Sequence, residues 1–418
     1  MEKIRAIFPL LVLLLLASIA SAATAIGGCP YQINSSGSYS LSGNLSVNNS
    51  TCITVNASDV AIDCGGFTLT GSNSSGTYGI YAFLANRTNV SNCNVQIFTA
   101  GIYYGYVVNG TIRNNNVTTS HKSETTCSNC AIYLYQSRFV NITNNYARSM
   151  TAGDTNSQDA GVFLYYSSNN IVAYNNASGV MRGLVVTWSQ NNSVLYNTAG
   201  SQTNGALSIY HYSYNTYALG NNATSASGAA FDGYQSWNST FVNSTLSSSS
   251  GCAFSTGDAH YNTISGGAYS SGSNWGVCTD FGDSYNTYDG LNVTGANGLS
   301  MWDSKLDTIR NSVVNVTGTG AAFTYSYSHY LEKNKFYTTS GNVISVGGGT
   351  RDYNNTFANN TFSSVSGNLV TIAATCTNNT FYLNNFTNTS GYYYQDNNGT
   401  SLVTYHGKGN IWANVMNG

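Results

Sequence analysis

Apolar residues recur along this chain at a nearly constant interval. One column of them, called the anchor column here, repeats every 21 to 26 residues apart from two intervals of 30. Its members are Val90, Ile112, Ile142, Val172, Val194, Tyr217, Phe241, Ile264, Tyr288, Ile309, Leu331, Phe357 and Phe381. Repetition with this period predicts a solenoid in which each repeat forms one coil.

Two further sets of apolar positions keep step with the anchor column. Five residues after it come Val95, Val117, Ala147, Ala177, Ala199, Leu246, Tyr269, Val293, Val314, Phe336, Phe362 and Phe386. Ten and eight residues before it run alternating pairs, among them Ile80/Ala82, Ile132/Leu134, Val162/Leu164, Leu184/Val186, Leu207/Ile209, Leu299/Met301 and Ala321/Phe323. Alternation with a period of two is typical of strands with one buried face, so each repeat predicts three short strands.

Asparagine forms a third periodic feature, three residues after the anchor. It stands at Asn115, Asn145, Asn175, Asn197, Asn334, Asn360 and Asn384. Asn tolerates the left-handed conformation that a tight turn needs, and stacked amides can hydrogen-bond from coil to coil.

With these columns, residues 52–412 resemble the pectin-lyase-like right-handed parallel β-helix repeat family, whose coils contain an Asn-laddered turn. The segment Cys52–Cys64 and the two glycines after it are similar to the first coil of secreted archaeal members. The resemblance implies an all-β fold, a single-stranded right-handed parallel β-helix of about 14 coils with three short strands each. It leaves the function open, because one fold supports many activities.

The first residues have the layout of a secretory signal peptide. An apolar run over residues 6–16 is followed by Ala20-Ser21-Ala22, a small-residue cleavage site. The alternative is an uncleaved anchor, since residues 6–25 could reach across a bilayer core of ~30 Å. We predict a secreted or cell-surface protein organised as a signal peptide (1–22), an N-terminal cap with the first coil (23–78) and β-helix repeats (79–418).

Composition supports export and excludes several classes of protein. Only 7% of residues are charged, and 2 prolines stand against 43 glycines and 33 tyrosines, unlike ordinary helical or α/β domains. A net charge of −2 gives no electrostatic reason to expect nucleic acid as a partner. Asn-X-Ser/Thr sequons are frequent and are candidate glycosylation sites, although Asn and Thr also serve the repeat.

Nine cysteines fit an exported chain, and their odd number leaves at least one without a disulfide. Cys52 and Cys64 are close enough in sequence to staple the first coil, and Cys252 and Cys278 fall one coil apart. Cys127-Ser-Asn-Cys130 favours a disulfide or idle thiols over zinc, because no second Cys pair accompanies it. The connectivity stays open.

The two 30-residue intervals each contain extra residues, His121–Cys130 and Thr151–Asp159, after the third strand of neighbouring coils. In the resembled family this loop and the following strand frame the substrate cleft. Outward positions of that strand carry an aromatic ladder, and flat rings suit the C–H faces of sugars. The predicted ligand-binding residues are Tyr135, Tyr165, Tyr210, Tyr234, Phe281 and Trp302. The alternative is that Tyr simply suits strands.

Carboxylates concentrate in the central coils, at Asp232, Asp258, Asp280, Asp283, Asp289, Asp303 and Asp307. In the same coils the Asn column is interrupted by Gly220, Ser244, Gly267, Leu291 and Ser312. Departures from a local rule often mark functional sites. Asp258, Asp283 and Asp303 fall near the outer end of the first strand in consecutive coils, which predicts a candidate Ca²⁺ site.

The same coils supply candidate catalytic residues, namely Asp232, Asp258, Asp280, Asp303, His260 and Lys305, with His211 and Arg310 nearby in register. The alternative is that Asp replaces Asn as a turn former, as at Asp307.

Two functional hypotheses follow. The first is a non-catalytic adhesin or envelope component that binds a polysaccharide or cell-surface glycan, with no nucleic-acid partner and no membrane span after cleavage of the signal peptide. The second is a polysaccharide lyase, glycoside hydrolase or epimerase. No match appears to the Asp and Gly-His-Gly motifs of polygalacturonases or to the Asp and Arg constellation of pectate lyases, which weakens the second hypothesis.

Overall fold

The computed structural model describes residues 22–120, 129–150, 159–348, 352–388, 394–396 and 409–413. Short strands, each too small to bury its apolar side alone, stack by parallel pairing into a solenoid of about 15 turns. The predicted all-β parallel β-helix with three strands per coil is therefore confirmed. Within the described ranges, no helix has the length and apolar character needed to span a bilayer.

Each coil contributes one strand to each of three faces, named here the front, anchor and back sheets. The front sheet contains Tyr31–Ile33, Ile53–Val55, Tyr78–Phe83, Ala100–Gly105, Cys130–Tyr135, Ala160–Tyr165, Arg182–Thr187, Leu207–Tyr210, Phe231–Tyr234, Phe254–Gly257, Ala321–Thr324, Ile344–Val346, Val370–Ile372 and Tyr394–Asp396. The anchor sheet contains Thr24–Ile26, Gly37–Leu41, Val60–Asp63, Asn89–Ser91, Thr111–Arg113, Asn141–Thr143, Ile171–Ala173, Ser193–Leu195, Tyr217–Leu219, Thr240–Val242, Thr263–Ser265, Thr287–Asp289, Thr308–Arg310, Tyr330–Glu332, Thr356–Ala358 and Thr380–Tyr382. The back sheet contains Leu45–Ser46, Thr68–Thr70, Asn94–Gln96, Asn116–Thr119, Tyr146–Ser149, Asn176–Gly179, Thr198–Ser201, Asn222–Ser225, Thr245–Ser248, Val313–Val316, Lys335–Thr338, Thr361–Ser364, Asn385–Asn388 and Ile411–Ala413.

Two long strands, Ala268–Thr279 and Asn292–Trp302, turn the corner from the back sheet into the front sheet. Counting the described strands, they join these two faces into one 30-stranded sheet, whereas the anchor sheet stays separate with 16 strands. A small pair, Ser213–Tyr214 with Ser236–Trp237, lies at the corner between the front and anchor sheets.

The anchor column forms one interior stack. Ile112 pairs with Ile142, Ile142 with Val172, and Val172 with Val194, and all four side chains are fully buried. The column five residues later is equally continuous from Val95 to Phe386. Burial on this scale supplies the main favourable free energy of folding, about 25 cal/mol for each Å² of apolar surface removed from water.

One anchor assignment is wrong. Tyr217 is 42% exposed, and its neighbour Ala218 occupies the interior position, pairing with Val194 and Phe241. The coil is one residue longer than the pattern suggested, and a small inward Ala is harder to recognise beside a large aromatic residue. Ala fits there because the next coil supplies the bulky Phe241.

The predicted hydrogen-bonded Asn ladder is confirmed and extends further than expected, but the left-handed conformation lies one residue earlier, at Asn114 and Asn144 in the first two coils of the ladder. The Oδ1 atom of each Asn accepts the backbone N–H of the preceding coil, as Asn175 does from Asn145 and Asn197 does from Asn175. The shift at Ala218 brings Asn221 into the ladder, where it accepts from Asn197 at 2.9 Å. Gly220 is therefore not an interruption, and the break begins one coil later at Ser244.

Within the described part of the chain, three disulfides join neighbouring coils, Cys29–Cys52, Cys64–Cys93 and Cys252–Cys278. The pair Cys252–Cys278 agrees with the sequence, whereas a Cys52–Cys64 staple is wrong, because each of these residues bonds a different coil. Each described bridge closes a loop of 23 to 29 residues, worth roughly 3 kcal/mol in the chain-entropy model. Cys127 lies outside the described residues.

Candidate functional site

The residues of the predicted aromatic ladder differ in how far their side chains are exposed to solvent. Phe281 and Trp302 are 61% and 42% exposed, whereas Tyr135, Tyr165 and Tyr234 are only partly exposed. Tyr210 is buried, so the prediction that it shares the exposed face is wrong. Although it points outward from the sheet, it packs in a second apolar cluster with Cys130, Ala160, Phe163 and Val185.

An arginine links three coils beside that cluster. The guanidinium of Arg182 lies 4.5 Å from the centre of the Tyr210 ring. Its Nη1 donates to Ser208 Oγ at 2.8 Å and to Asp232 Oδ2 at 3.1 Å. Desolvation by burial raises the pKa of Tyr210 to about 12. Asp232 is thus committed to an ion pair, which makes it a poorer candidate for a catalytic base.

A second aromatic surface, exposed at Tyr166 and Trp188 and partly exposed at its other rings, lies at the corner between the front and anchor sheets. Its residues, named here the aromatic row, are Tyr166, Trp188, Tyr212, Tyr214 and Trp237. Ring centres lie 5.6 Å apart for Tyr166–Trp188, 4.7 Å for Trp188–Tyr212 and 5.6 Å for Tyr212–Trp237. The rings thus follow one another across four consecutive coils along the solenoid axis.

The backbone of the corner explains why these rings project outward. Tyr166, Trp188 and Tyr212 have φ angles of 50°, 51° and 55°, in the left-handed region. The same conformation recurs at this corner at Tyr106 and Gln136, so it belongs to the turn and not to a local distortion.

A groove of about 480 Å³ lies along this row. It is lined by Tyr166, Ser168, Trp188, Ser189, Gln190, Tyr212 and Tyr214. A larger cavity, about 730 Å³, lies on the N-terminal part of the anchor sheet and is lined by a mixture of small polar, apolar and charged residues with Tyr39 as its one aromatic ring. We place the candidate site at the aromatic groove because flat exposed rings with a few polar neighbours suit a sugar ring.

The sequence prediction missed this row because it considered only strand positions. The signal was nevertheless available. Tyr166 follows the inward Leu164 by two residues, and Trp188 follows the inward Val186 by two. Aromatic residues therefore also recur at the turn, directly after the front-sheet strand.

Three polar side chains meet at the C-terminal end of the row. His260 Nε2 lies 3.1 Å from Asp258 Oδ1, and His260 Nδ1 lies 2.8 Å from Ser284 Oγ. The indole N–H of Trp237 donates to the carbonyl oxygen of Asp258 at 2.8 Å. Because a carboxylate accepts the Nε2 proton, Nδ1 is left to accept from the Ser284 hydroxyl. Of the predicted catalytic residues, Asp258 and His260 are brought together.

Asp280 and Asp303 lie in the next coils. Desolvation raises the pKa of Asp280 most, the N–H of Phe281 lowers it, and the charge of Asp303 raises it again. Lys305 lies in the corner column between Ser284 and Tyr327. Among the described residues, no ion pair involves Asp280, Asp303 or Lys305.

The predicted Ca²⁺ site is not formed. Asp283 is fully buried, where Oδ1 accepts from the backbone N–H of Ala259 and Oδ2 from Thr256 Oγ1, both at 2.6 Å. It cannot converge with Asp258 and Asp303 on the surface, and the described residues contain no cluster of three or more potential metal ligands. The outward placement of Asp283 was wrong because Asp283 replaces a turn residue that lies inside the coil.

Asp307 is a turn former, as the alternative interpretation proposed. Its Oδ1 accepts the backbone N–H of Asn286 at 2.7 Å in a second ladder of turn residues. Its Oδ2 lies 3.6 Å from His329 Nδ1, and both side chains are fully buried. The predicted loop insertions fall largely on residues 121–128 and 151–158, outside the described residues.

Comparison with known proteins concerns the fold. A surface adhesin of Streptococcus pneumoniae, PfbA, is 10% identical with a TM-score of 0.45, over 79% of this chain and 85% of its own. The A-module of the Azotobacter vinelandii mannuronan C-5 epimerase AlgE4 is 12% identical with a TM-score of 0.32, over 88% and 90%. A mutant tailspike protein of E. coli bacteriophage HK620, in complex with a hexasaccharide, is 14% identical with a TM-score of 0.26, over 94% and 70%.

No curated protein matches the chain. Residues 78–236 match the family model described as right handed beta helix region. This match agrees with the coil architecture: the chain has a right-handed parallel β-helix fold, which fits the pectin-lyase-like superfamily that its sequence resembles.

Proposed function

We propose that this protein is a secreted or cell-surface β-helix protein that binds a polysaccharide through the aromatic row. The observation that carries the proposal is the run of ring contacts from Tyr166 to Trp237, in which Tyr166 and Trp188 are 42% and 40% exposed. Exposed rings at one-coil spacing form a surface on which successive sugar units can stack.

Five of the six predicted ligand residues provide further rings on either side of this surface. Tyr165 contacts Tyr166 with ring centres 4.4 Å apart, and Tyr135 lies 5.8 Å from Tyr165. On the other side, Phe281 lies 6.3 Å from Tyr234 and 6.1 Å from Trp302. A polysaccharide longer than the groove would therefore meet further rings in both directions.

An extracellular location is part of the proposal. It is supported by the apolar run before Ala22 and by the disulfides, which persist in oxidising compartments. Uncharged polar groups on the outside of the coils keep such a rod soluble in spite of its low charge.

We expect the double variant Trp188→Ala/Tyr212→Ala to bind its polysaccharide about a hundredfold more weakly, since each ring contributes roughly 1.4 kcal/mol of stacking and burial. Retention in affinity gels containing single polysaccharides measures the change. Tyr174→Ala/Tyr196→Ala is the matched control, because these two stacked rings are 59% and 47% exposed at a different corner. Equal retention of both double variants on every polysaccharide that binds the parent would contradict the proposal.

The second candidate function is a polysaccharide lyase, glycoside hydrolase or epimerase. The contact between Asp258 and His260 favours it, because it places a titratable pair at the end of the groove. Asp280, Asp303 and Lys305 in the following coils are the remaining candidates for acid, base or substrate contact.

If the second candidate is correct, His260→Ala should lower turnover 10²- to 10⁴-fold, the usual contribution of one general acid or base. Release of reducing ends, formation of unsaturated uronate or epimerisation on a polysaccharide panel measures it. Asp289→Asn is the control, since Asp289 pairs with Arg310 on the anchor sheet. A parent protein that leaves all panel members unchanged argues for binding alone.

A further inference from the structure

The groove along the aromatic row is lined by aromatic and uncharged polar residues. Of the described residues that line it, four are aromatic (Tyr166, Trp188, Tyr212 and Tyr214), and the others are Ser168, Ser189 and Gln190. None of them carries a charge. A ligand that enters this groove thus exchanges water for aromatic faces and neutral hydrogen-bonding groups.

The charged groups next to the groove do not add an anion-binding surface to its neutral lining. On the C-terminal side, Asp258 is engaged by His260 and Gln235, and Asp232 by Arg182. On the N-terminal side, Arg138 precedes Ser168 in the corner column and is the cation nearest in register. Arg138 is a single cation at one end, and the charge of Arg182 is balanced by Asp232, so the surroundings provide no repeated positive charge.

An uncharged aromatic groove disfavours glycans that carry many negative charges. A polyuronate carries one carboxylate on each sugar, and a chain spanning several coils would bring several charges against rings and amides. Removing an ion from water without a partner is costly, whereas hydroxyl groups can be satisfied by Ser168 and Gln190. The field of the aromatic faces adds to the penalty, because their negative π-surfaces attract cations and repel anions.

We infer that the groove binds a neutral polysaccharide strand lying along the solenoid axis and discriminates against polyuronates. The inference rests on the proposed function and names the chemical class of its ligand. The ring spacings of 4.7 to 5.6 Å give the direction, because they place one stacking surface on each successive coil.

The test uses one polymer in two charge states. The full-length purified protein is titrated with neutral polysaccharides, with polygalacturonate and alginate as carboxylated probes. A neutral polymer that binds is then oxidised at its primary hydroxyls, so that length and linkage stay the same while carboxylates appear. Quenching of tryptophan fluorescence reports occupancy, with Trp188→Phe identifying the share of the signal that comes from the groove.

We expect oxidation to weaken binding at least tenfold at low salt. Gln190→Lys should recover most of that loss for the oxidised polymer, because it places a cation among the lining residues. Arg138→Gln is the matched control and should leave binding of the neutral polymer unchanged. Recovery by Gln190→Lys also shows that the variant is folded.

The possible results distinguish failure of the inference on charge from failure of the proposed polysaccharide binding. If the oxidised polymer or a polyuronate binds as tightly as the neutral one, the inference on charge is overturned while polysaccharide binding stands. If neither neutral nor carboxylated polymers bind, the proposed function itself fails.

Discussion

Relative to the wild-type chain, the Asp283→Asn variant is expected to gain about 4 kcal/mol of stability as the pH rises from 4 to 8. Desolvation in the interior raises the pKa of Asp283 to about 7, from an ordinary value of 3.8. The hydrogen bonds from Thr256 and Ala259 lower this pKa but do not offset burial. Asparagine suits the site, because its Oδ1 can accept the backbone N–H of Ala259 and its Nδ2 can donate to Thr256 Oγ1.

The sign of this change in stability with pH follows from which state of the chain binds the Asp283 proton. Below pH 3.8 both the folded and the unfolded chain hold the Asp283 proton. The wild-type free energy of unfolding then has its full value with respect to Asp283. Between pH 3.8 and about 7 only the folded chain holds it, and stability is lost as the pH rises through this window. Asn does not titrate and contributes no such loss.

Other interior groups titrate in the same coils and must be separated from Asp283. Burial lowers the pKa of His329 to about 4, so its contribution is lost as the pH falls from 6.5 toward 4. Burial raises the pKa of Asp307, whose contribution has the same sign as that of Asp283. His329 is present in both proteins and cancels in the comparison. The charge of Asp283 raises the pKa of Asp307, so the variant also removes that repulsion, which adds to its gain in stability as the pH rises.

Urea denaturation at pH 4, 6 and 8 measures the difference between the two proteins. Asp63→Asn serves as the control, because Asp63 is an exposed carboxylate on the anchor sheet. A free-energy difference between Asp283→Asn and wild type that stays constant from pH 4 to 8 would show that Asp283 is ionised throughout.

The second large effect concerns the interior stack. Phe357→Ala should reduce the free energy of unfolding by about 3 to 5 kcal/mol, the usual cost of removing a buried aromatic side chain. Phe357 is fully buried, its ring lies 4.3 Å from that of Phe381 and 5.5 Å from that of Phe323, and both neighbours sit on rigid strands. The cavity can therefore close only partly.

Tyr217→Ala is the informative control for this prediction. Both residues were assigned to the anchor column from the sequence, but Tyr217 is exposed and its replacement should change stability by less than about 1 kcal/mol. Denaturant unfolding of the two variants distinguishes them. Similar losses for both variants would mean that the register at Ala218 is not the one described here.

The sequence predicts a position well when the same structural role recurs in every coil. Inward strand positions such as Ile112 and Ile142 were predictable because alternation has a period of two, and an inward residue must be apolar in every coil. The Asn ladder was predictable for a similar reason, since each member serves the same turn. The wrong assignment of Tyr217 in place of Ala218 shows where this prediction fails. One added residue shifts which side chain faces the interior without changing the composition of the coil.

The sequence by itself determined the parallel β-helix, its three strands per coil and most of its interior, since these repeat once per coil and add up along the chain. Only the tertiary structure decided the surface. Whether an outward side chain such as Tyr210 is exposed depends on Arg182 and other residues packed over it, and whether Asp283 faces solvent depends on how its turn folds inward. The aromatic row likewise exists only because left-handed corners of successive coils bring Tyr166, Trp188 and Tyr212 side by side, a relation between coils that no single repeat contains.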